Sequence, residues 1–288
     1  MAESLRQLVE AELGQRVDPR VSEMARAIAA GHGSASRAVL FYGSCLRESQ
    51  LDGLMLDFYL IVSDYDEASE KGWLAKANAL IPPNVFPFQH GSLAAKYAVL
   101  SEADFHRLNG PETRNVSVWA RFAQPSRLVW AADEQARARA IDAVARAAPT
   151  LLAAESSFAT KCDVLDLWRN AFALTYSAEL RAEGKARSGS IVDTDPDRYR
   201  RFYRPALAAV EPNAPRFSWA RRRIEGKLLS VLRLAKASAT YAGGAEYIAW
   251  KINRHAGTDI QLSDWQKRHP LLAAISLLPK LIRSGAIR

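Results

Sequence analysis

Apolar positions recur along this chain in two rhythms. Leu5, Leu8, Val9 and Leu13 form an i, i+3, i+4 stripe, and Pro19 stands near the start of a second such segment, which predicts helices over 2–13 and 19–31. The small residues Gly31-His32-Gly33-Ser34 mark a loop, with His32 solvated in it. From Val39 to Ser63 the rhythm changes to two apolar, β-type runs, the first ending in Tyr42-Gly43-Ser44 and the second spanning Leu54 to Val62.

Further on, Ala68 to Leu80 reads as a helix with Trp73, Leu74, Ala77 and Leu80 on one face, ended by Pro82-Pro83. Val85 to Ser92 reads as an irregular segment and Ala94 to Leu100 as a strand. Ser101 is placed as the N-cap of a helix that carries Asp104 and an exposed or capping His106. Val116 to Phe122 is a short helix, Arg127 to Trp130 a strand, and Asp133 to Ala148 an Ala-rich helix. Around Pro149 the pattern turns from strands alternating with helices to helices alone, including Phe158 to Ala186, so a domain boundary is expected near residue 150. The reading is therefore α+β: a mixed sheet flanked by helices over 1–150, a mainly helical unit over 151–268, and a final segment over 269–288.

Two charges break the apolar strands. Asp57 sits among Leu54, Met55, Leu56, Phe58, Leu60, Ile61 and Val62, where an unpaired carboxylate would cost several kcal/mol, so it is expected to face a metal, a cation or a cleft. Lys96 interrupts Ala-Ala-Lys-Tyr-Ala-Val-Leu with the opposite sign; the plain alternative is an edge-strand lysine reaching out to water. A strand ending in Gly-Ser, a connection of about a dozen residues and a strand bearing an Asp resembles the polymerase-beta type of nucleotidyltransferase. In that type Gly43 would admit a nucleotide phosphate, Ser44 would donate to it and Asp57 would hold Mg2+. That type commonly carries a second acid one residue removed on the same strand; Tyr59 stands there instead, leaving Asp52, Asp104 or Glu179 to supply another ligand, with Asp52 the nearest.

The departure, together with Tyr42-Gly43-Ser44, Met55 to Phe58, Leu93 to Ser101 and Trp119 to Pro125, resembles the mitochondrial-type phosphatidate cytidylyltransferases, the translocator assembly and maintenance family. Leu174 to Glu183 is similar to that family's Ser-Tyr-x-x-Asp-x-Arg element, with Thr175 and Glu179 as replacements and Arg181 as its arginine. The resemblance implies a magnesium-dependent transfer of CMP from CTP to phosphatidate. Asp57 and Lys96 would act in catalysis, Asp57 and Asp52 on the metal, Tyr42, Gly43, Ser44 and Arg121 on the nucleotide, and Tyr176, Glu179 and Arg181 on the lipid substrate. It also implies a winged-helix-like second domain and no nucleic acid. In the segment resembling the family's Gly-Arg-x-x-Lys-Pro element, Gln124 replaces the lysine.

Composition adds the setting. With 288 residues and 49% apolar content the chain can fill a substantial core, and its two cysteines, Cys45 and Cys162, lack metal-ligand spacing. The net charge of +8 favours anionic partners. The stretch from Arg198 to Lys236 interleaves Arg and Lys with Tyr199, Phe202, Tyr203, Phe217 and Trp219, a pattern that suits nucleic acid or an anionic membrane surface. No run reaches the length of a spanning helix, and Leu271, Ile275, Leu278 and Ile282 trace an amphipathic stripe interrupted by Pro279. A cytoplasmic protein lying peripherally on a membrane is the expectation. The alternatives are a nucleotidyltransferase with another acceptor (RNA, a protein or a small alcohol) and a nucleic-acid-binding winged-helix protein with a degenerate front domain.

Overall fold

The computed structural model describes residues 3–48, 50–69, 72–155, 163–179, 191–215, 217–240, 261 and 263–265. Five strands, β1 Ser36–Tyr42, β2 Met55–Val62, β3 Asn84–His90, β4 Leu93–Ser101 and β5 Ser126–Ala131, form one sheet in the order β3-β4-β2-β1-β5. β2 and β4 run parallel while the other neighbours are antiparallel. Parallel neighbours need a crossover. Here it is made by helix α3, Gly72–Leu80, together with β3. The remaining helices are α1 Leu5–Leu13, α2 Pro19–Ala30, α4 Glu102–Asn109, α5 Trp119–Phe122, α6 Glu134–Ala145, α7 Ala147–Ala154, α8 Val164–Ala178, α9 Pro196–Ala208 and α10 Trp219–Thr240. The chain is thus α+β, a mixed sheet flanked by helices.

Local chemistry explains most of the helix starts. Ser4 and Gln7 form a capping box at α1, Asp18 caps α2 ahead of Pro19, and Ser101, Asp133, Asp163 and Asp195 accept from backbone N–H groups at α4, α6, α8 and α9. The strand alternation then sorts the core into two layers. Phe58, Leu60 and Val62 face α2 through Val21, Met24 and Ile28. Tyr59 and Ile61 face the other way, into a larger cluster with α1, α4, α5, α6, α7, α8 and α9. That cluster joins Leu151, Trp168, Phe172, Tyr199 and Phe202 to Leu40, Tyr59 and Leu100, so apolar packing continues across residue 150.

Several expectations are corrected. Residues Asn84–His90 form an edge strand rather than an irregular segment; Pro87 opposes Lys96, and an edge is where a strand tolerates a proline. Trp73 and Leu80 of α3 are exposed (51% and 80%), and the helix docks through Asn78, whose amide donates to the Val99 carbonyl at 3.0 Å. His32 is engaged: Nδ1 donates to the Ala68 carbonyl at 2.9 Å and Nε2 accepts from the Tyr97 hydroxyl at 3.1 Å. The basic and aromatic stretch is partly interior. Arg222 is buried, donates to the carbonyls of Thr113 and Arg114 and lies 5.3 to 5.6 Å from the ring centroids of Trp119, Phe217 and Trp219. Burial pushes its guanidinium down to about 10. The residues from 269 onward, with their amphipathic stripe, lie outside the described residues, as does Arg181. Among the described residues no helix is long and apolar enough to cross a membrane.

Arg198 is another buried cation of that stretch. It forms an ion pair with Glu12 of α1, which accepts from Nη2 at 2.9 Å, and also donates to the Ala123 carbonyl at 3.0 Å, tying α9 to α1. Arg198→Met should destabilise the fold by about 3–5 kcal/mol, because it leaves the Glu12 carboxylate buried and unpaired. Urea denaturation reads the loss, and Glu12→Met combined with Arg198→Met should recover most of it; a single variant as stable as the parent would refute the latch.

Candidate functional site

The end of β1 and the early parts of β2 and β4 meet at one end of the sheet. Tyr42 is opposite Asp57 on the antiparallel side, and Lys96 is opposite Asp57 on the parallel side. All three fall on the face of Tyr59, by the alternation that puts Leu40, Ile61 and Ala98 there. Lys96 Nζ lies 3.1 Å from Asp57 Oδ1, with the two side chains 28% and 23% exposed. β4 is flanked by β3 and β2, so Lys96 is not an edge-strand lysine. The carboxylate thereby has a cation beside it and an opening to solvent.

Gly43 follows β1 with φ of 95°. A Cβ there would stand 3.3 Å from Asp57 Oδ2, on a backbone that side chains rarely adopt, so this position lets main chain approach the carboxylate. The chain then turns through Ser44–Arg47. Cys45 lies in that turn, buried; burial and the charge of Asp57 push its thiol up, opposite to what a nucleophile needs.

An aromatic wall backs the pair. Tyr42 and Tyr59 have ring centroids 5.3 Å apart, and Phe122 lies 6.0 Å from Tyr42 and 5.2 Å from Tyr59. Burial and then Asp57 hold the Tyr42 phenol well above its ordinary value, and burial raises Tyr59 likewise, so neither supplies a negative charge. Arg121 of α5 donates to the Ser117 carbonyl and lies 3.6 Å from Glu179 at the end of α8. Burial opposes its charge, but the carboxylates Glu179 and Asp57 favour it and Arg121 stays a firm cation. Tyr176, one turn earlier on α8, packs against the same core. Gln124 folds back onto the Ala120 carbonyl at 2.7 Å.

The other carboxylates do not converge on Asp57. Asp52 pairs with Arg20 at 3.1 Å and accepts from Ser92 at 2.9 Å. Asp104 accepts from Tyr65 at 2.6 Å and pairs with Arg107 at 2.6 Å. Among the described residues no three His, Cys, Asp or Glu side chains are grouped as a metal would need. A magnesium ion that keeps waters and takes its remaining oxygens from phosphates requires only one or two carboxylates, and Asp57 fits that smaller role.

The structure adds residues the sequence did not single out. Arg233 of α10 donates through Nε to the Pro82 carbonyl at 2.7 Å and through Nη1 to Ser117 Oγ at 2.6 Å, and Lys236 donates to the Ile81 carbonyl. In the sequence both belong to an extended basic run, where nothing distinguishes them from Arg223 or Lys227.

No family model matches the chain. No curated protein matches it either. Among solved structures, a nucleotidyltransferase-like protein from Exiguobacterium sibiricum matches over 92% of this chain and 92% of its own, at 11% identity and a TM-score of 0.30. So distant a likeness carries no residue role over to this chain.

Lys236 gives the site's surroundings a pH signature. Burial, and then the charge of Arg233, push its ammonium down to about 7. Between there and the ordinary lysine value, the unfolded chain holds a proton that the folded chain has released, so this group makes stability rise with pH across that window; below it the whole burial penalty stands. Lys236→Met should flatten that rise and stabilise the protein more at pH 6 than at pH 10, as read from denaturant midpoints. An equal offset at both pH values would refute the assignment.

Proposed function

We propose that this chain is a nucleotidyltransferase, and that it transfers CMP from CTP to phosphatidate, giving CDP-diacylglycerol and pyrophosphate. The observation that carries the reading is the Asp57–Lys96 pair, 3.1 Å apart, set beside the positive-φ Gly43 where β1, β2 and β4 meet. Gly43 and Ser44 would receive the β and γ phosphates, with Lys96 adding fixed positive charge as negative charge builds on the departing group. Asp57 is the residue that would hold magnesium, which when bound supplies Lewis-acid neutralisation at the phosphates.

In the transfer, an oxygen of the acceptor's phosphate forms a bond to the α-phosphorus of CTP. The bond from that phosphorus to the oxygen bridging to the β-phosphate breaks, and pyrophosphate leaves with the electron pair. A phosphate oxygen is already anionic, so positioning and charge neutralisation dominate and no base need remove a proton. The structure is compatible with that acceptor in a particular way: the position next along this face of β2 is the buried, neutral Tyr59, and Asp52 and Asp104 are engaged elsewhere. A hydroxyl acceptor would need a base that this arrangement offers less readily. The nucleic-acid reading loses support because Arg198 and Arg222, part of the basic stretch on which it stood, are interior.

Incubating the purified protein with each labelled nucleoside triphosphate, magnesium and micelles containing phosphatidate should yield a lipid-linked nucleotide with CTP. Asp57→Asn, which keeps the shape and removes the charge, should lower turnover about a thousandfold or more. Turnover within about tenfold of the parent would sink the mechanism.

The amphipathic stripe from Leu271 to Ile282, following Lys267-Arg268-His269, supports peripheral attachment to an anionic bilayer. Deleting residues from Pro270 onward should reduce sedimentation with anionic liposomes while CTP binding persists. Undiminished liposome binding by a folded truncation would exclude this anchor.

A further inference from the structure

Arg121, Arg233 and Lys236 gather on the Tyr59 side of the Asp57–Lys96 pair. Both guanidiniums touch Ser117, Arg121 at its carbonyl and Arg233 at its hydroxyl, so the two cations are held within one residue of each other. Arg233 and Lys236 then bind the consecutive carbonyls of Pro82 and Ile81. Facing these three cations, Glu179 lies 3.6 Å from Arg121 and its charge also acts on Arg233; among the described residues neither Arg233 nor Lys236 lies within salt-bridge distance of a carboxylate. Like charges brought together and partly removed from water are costly unless an anion joins them. Burial pushes both α10 cations downward; the charge of Arg121 adds to this at Arg233, where Glu179 opposes it, and the charge of Arg233 adds to it at Lys236.

We infer that Arg121 and Arg233, which share Ser117, together with Lys236 form a second anion subsite that holds the phosphate of the acceptor. This rests on the nucleotidyltransferase reading for its second reactant, since Gly43, Ser44 and Lys96 serve the nucleotide there. Tyr59, on which the charges of Arg121 and Arg233 act, is two residues along β2 from Asp57, roughly 7 Å. Arg121 interacts electrostatically with Asp57 and Glu179, and so links the two halves. Planar guanidiniums suit two oxygens of one phosphate, while the Lys236 ammonium adds a point charge.

Sulfate is the first probe, because it is a tetrahedral dianion that does not titrate near neutrality. Calorimetry should show sulfate binding to the full chain and weakening by at least about tenfold in Arg233→Gln and in Lys236→Gln, with a smaller loss in Arg233→Lys. The glutamines keep a donor for the carbonyls, so a purely structural role would leave sulfate affinity unchanged, and that result overturns the subsite, as does absence of sulfate binding by the parent. Water-soluble dihexanoyl phosphatidate should displace the sulfate and CTP should not; displacement by CTP alone would overturn the acceptor assignment. The subsite and the reading it rests on fail separately. An active Asp57→Asn with sulfate behaving as expected removes the reading and keeps the anion subsite, whereas an inactive Asp57→Asn with unchanged sulfate affinity in both glutamine variants removes the subsite alone.

Discussion

An ionised carboxylate in the middle of an apolar strand is the constraint on which the rest of this structure depends. Asp57 is tolerated because β2 and β4 pair in parallel with Lys96 directly opposite, giving the charge a partner at 3.1 Å. A one-residue slip of that register would turn Lys96 to the other face, among Val39, Phe58 and Leu60, and part the two half-buried charges. Register, crossover and site are therefore one requirement. The α3 and β3 connection has to bring β4 alongside β2 in the correct alignment, and Asn78 secures it by satisfying Val99 and Asn84.

The same face of the sheet shows how polar chemistry is combined with a dense core. Tyr42, Tyr59 and Phe122 form a wall that limits water on one side of Asp57, while Gly43 leaves the other side open to main-chain donors. Where a second carboxylate would add negative charge, a neutral phenol stands. Arginines do the rest of the electrostatic work around it, and they come from distant parts of the chain: Arg121 from α5 and Arg233 from α10. α10 meets the α3–β3 connection through Arg233 and Lys236, which donate to the carbonyls of Pro82 and Ile81.

Buried arginines also explain why the basic charge of this protein is an incomplete guide to its partners. Arg198 and Arg222 contribute to the formal excess, yet each is enclosed by aromatic rings and carbonyls and joins elements far apart in the chain. Aromatic residues interleaved with arginines are what such interior cation–π clusters require, just as they are what a nucleic-acid or membrane surface requires. The pattern alone does not distinguish them.

What the sequence determined by itself was local. The 3.6-residue stripe of α1, the cap at Ser101, the apolar runs of β1 and β2, and the oddity of Asp57 and Lys96 are readable because each depends on neighbours a few residues away. The tertiary structure decided what depends on pairing between distant segments. It put Lys96 against Asp57 and Arg233 against Ser117, and it sent Asp52 to Arg20 and Ser92. It turned Trp73 outward and made an edge strand of a proline-containing segment. Periodicity tells which residues share a face, but which face meets which is set by register and crossover, and those are chosen by the whole core at once.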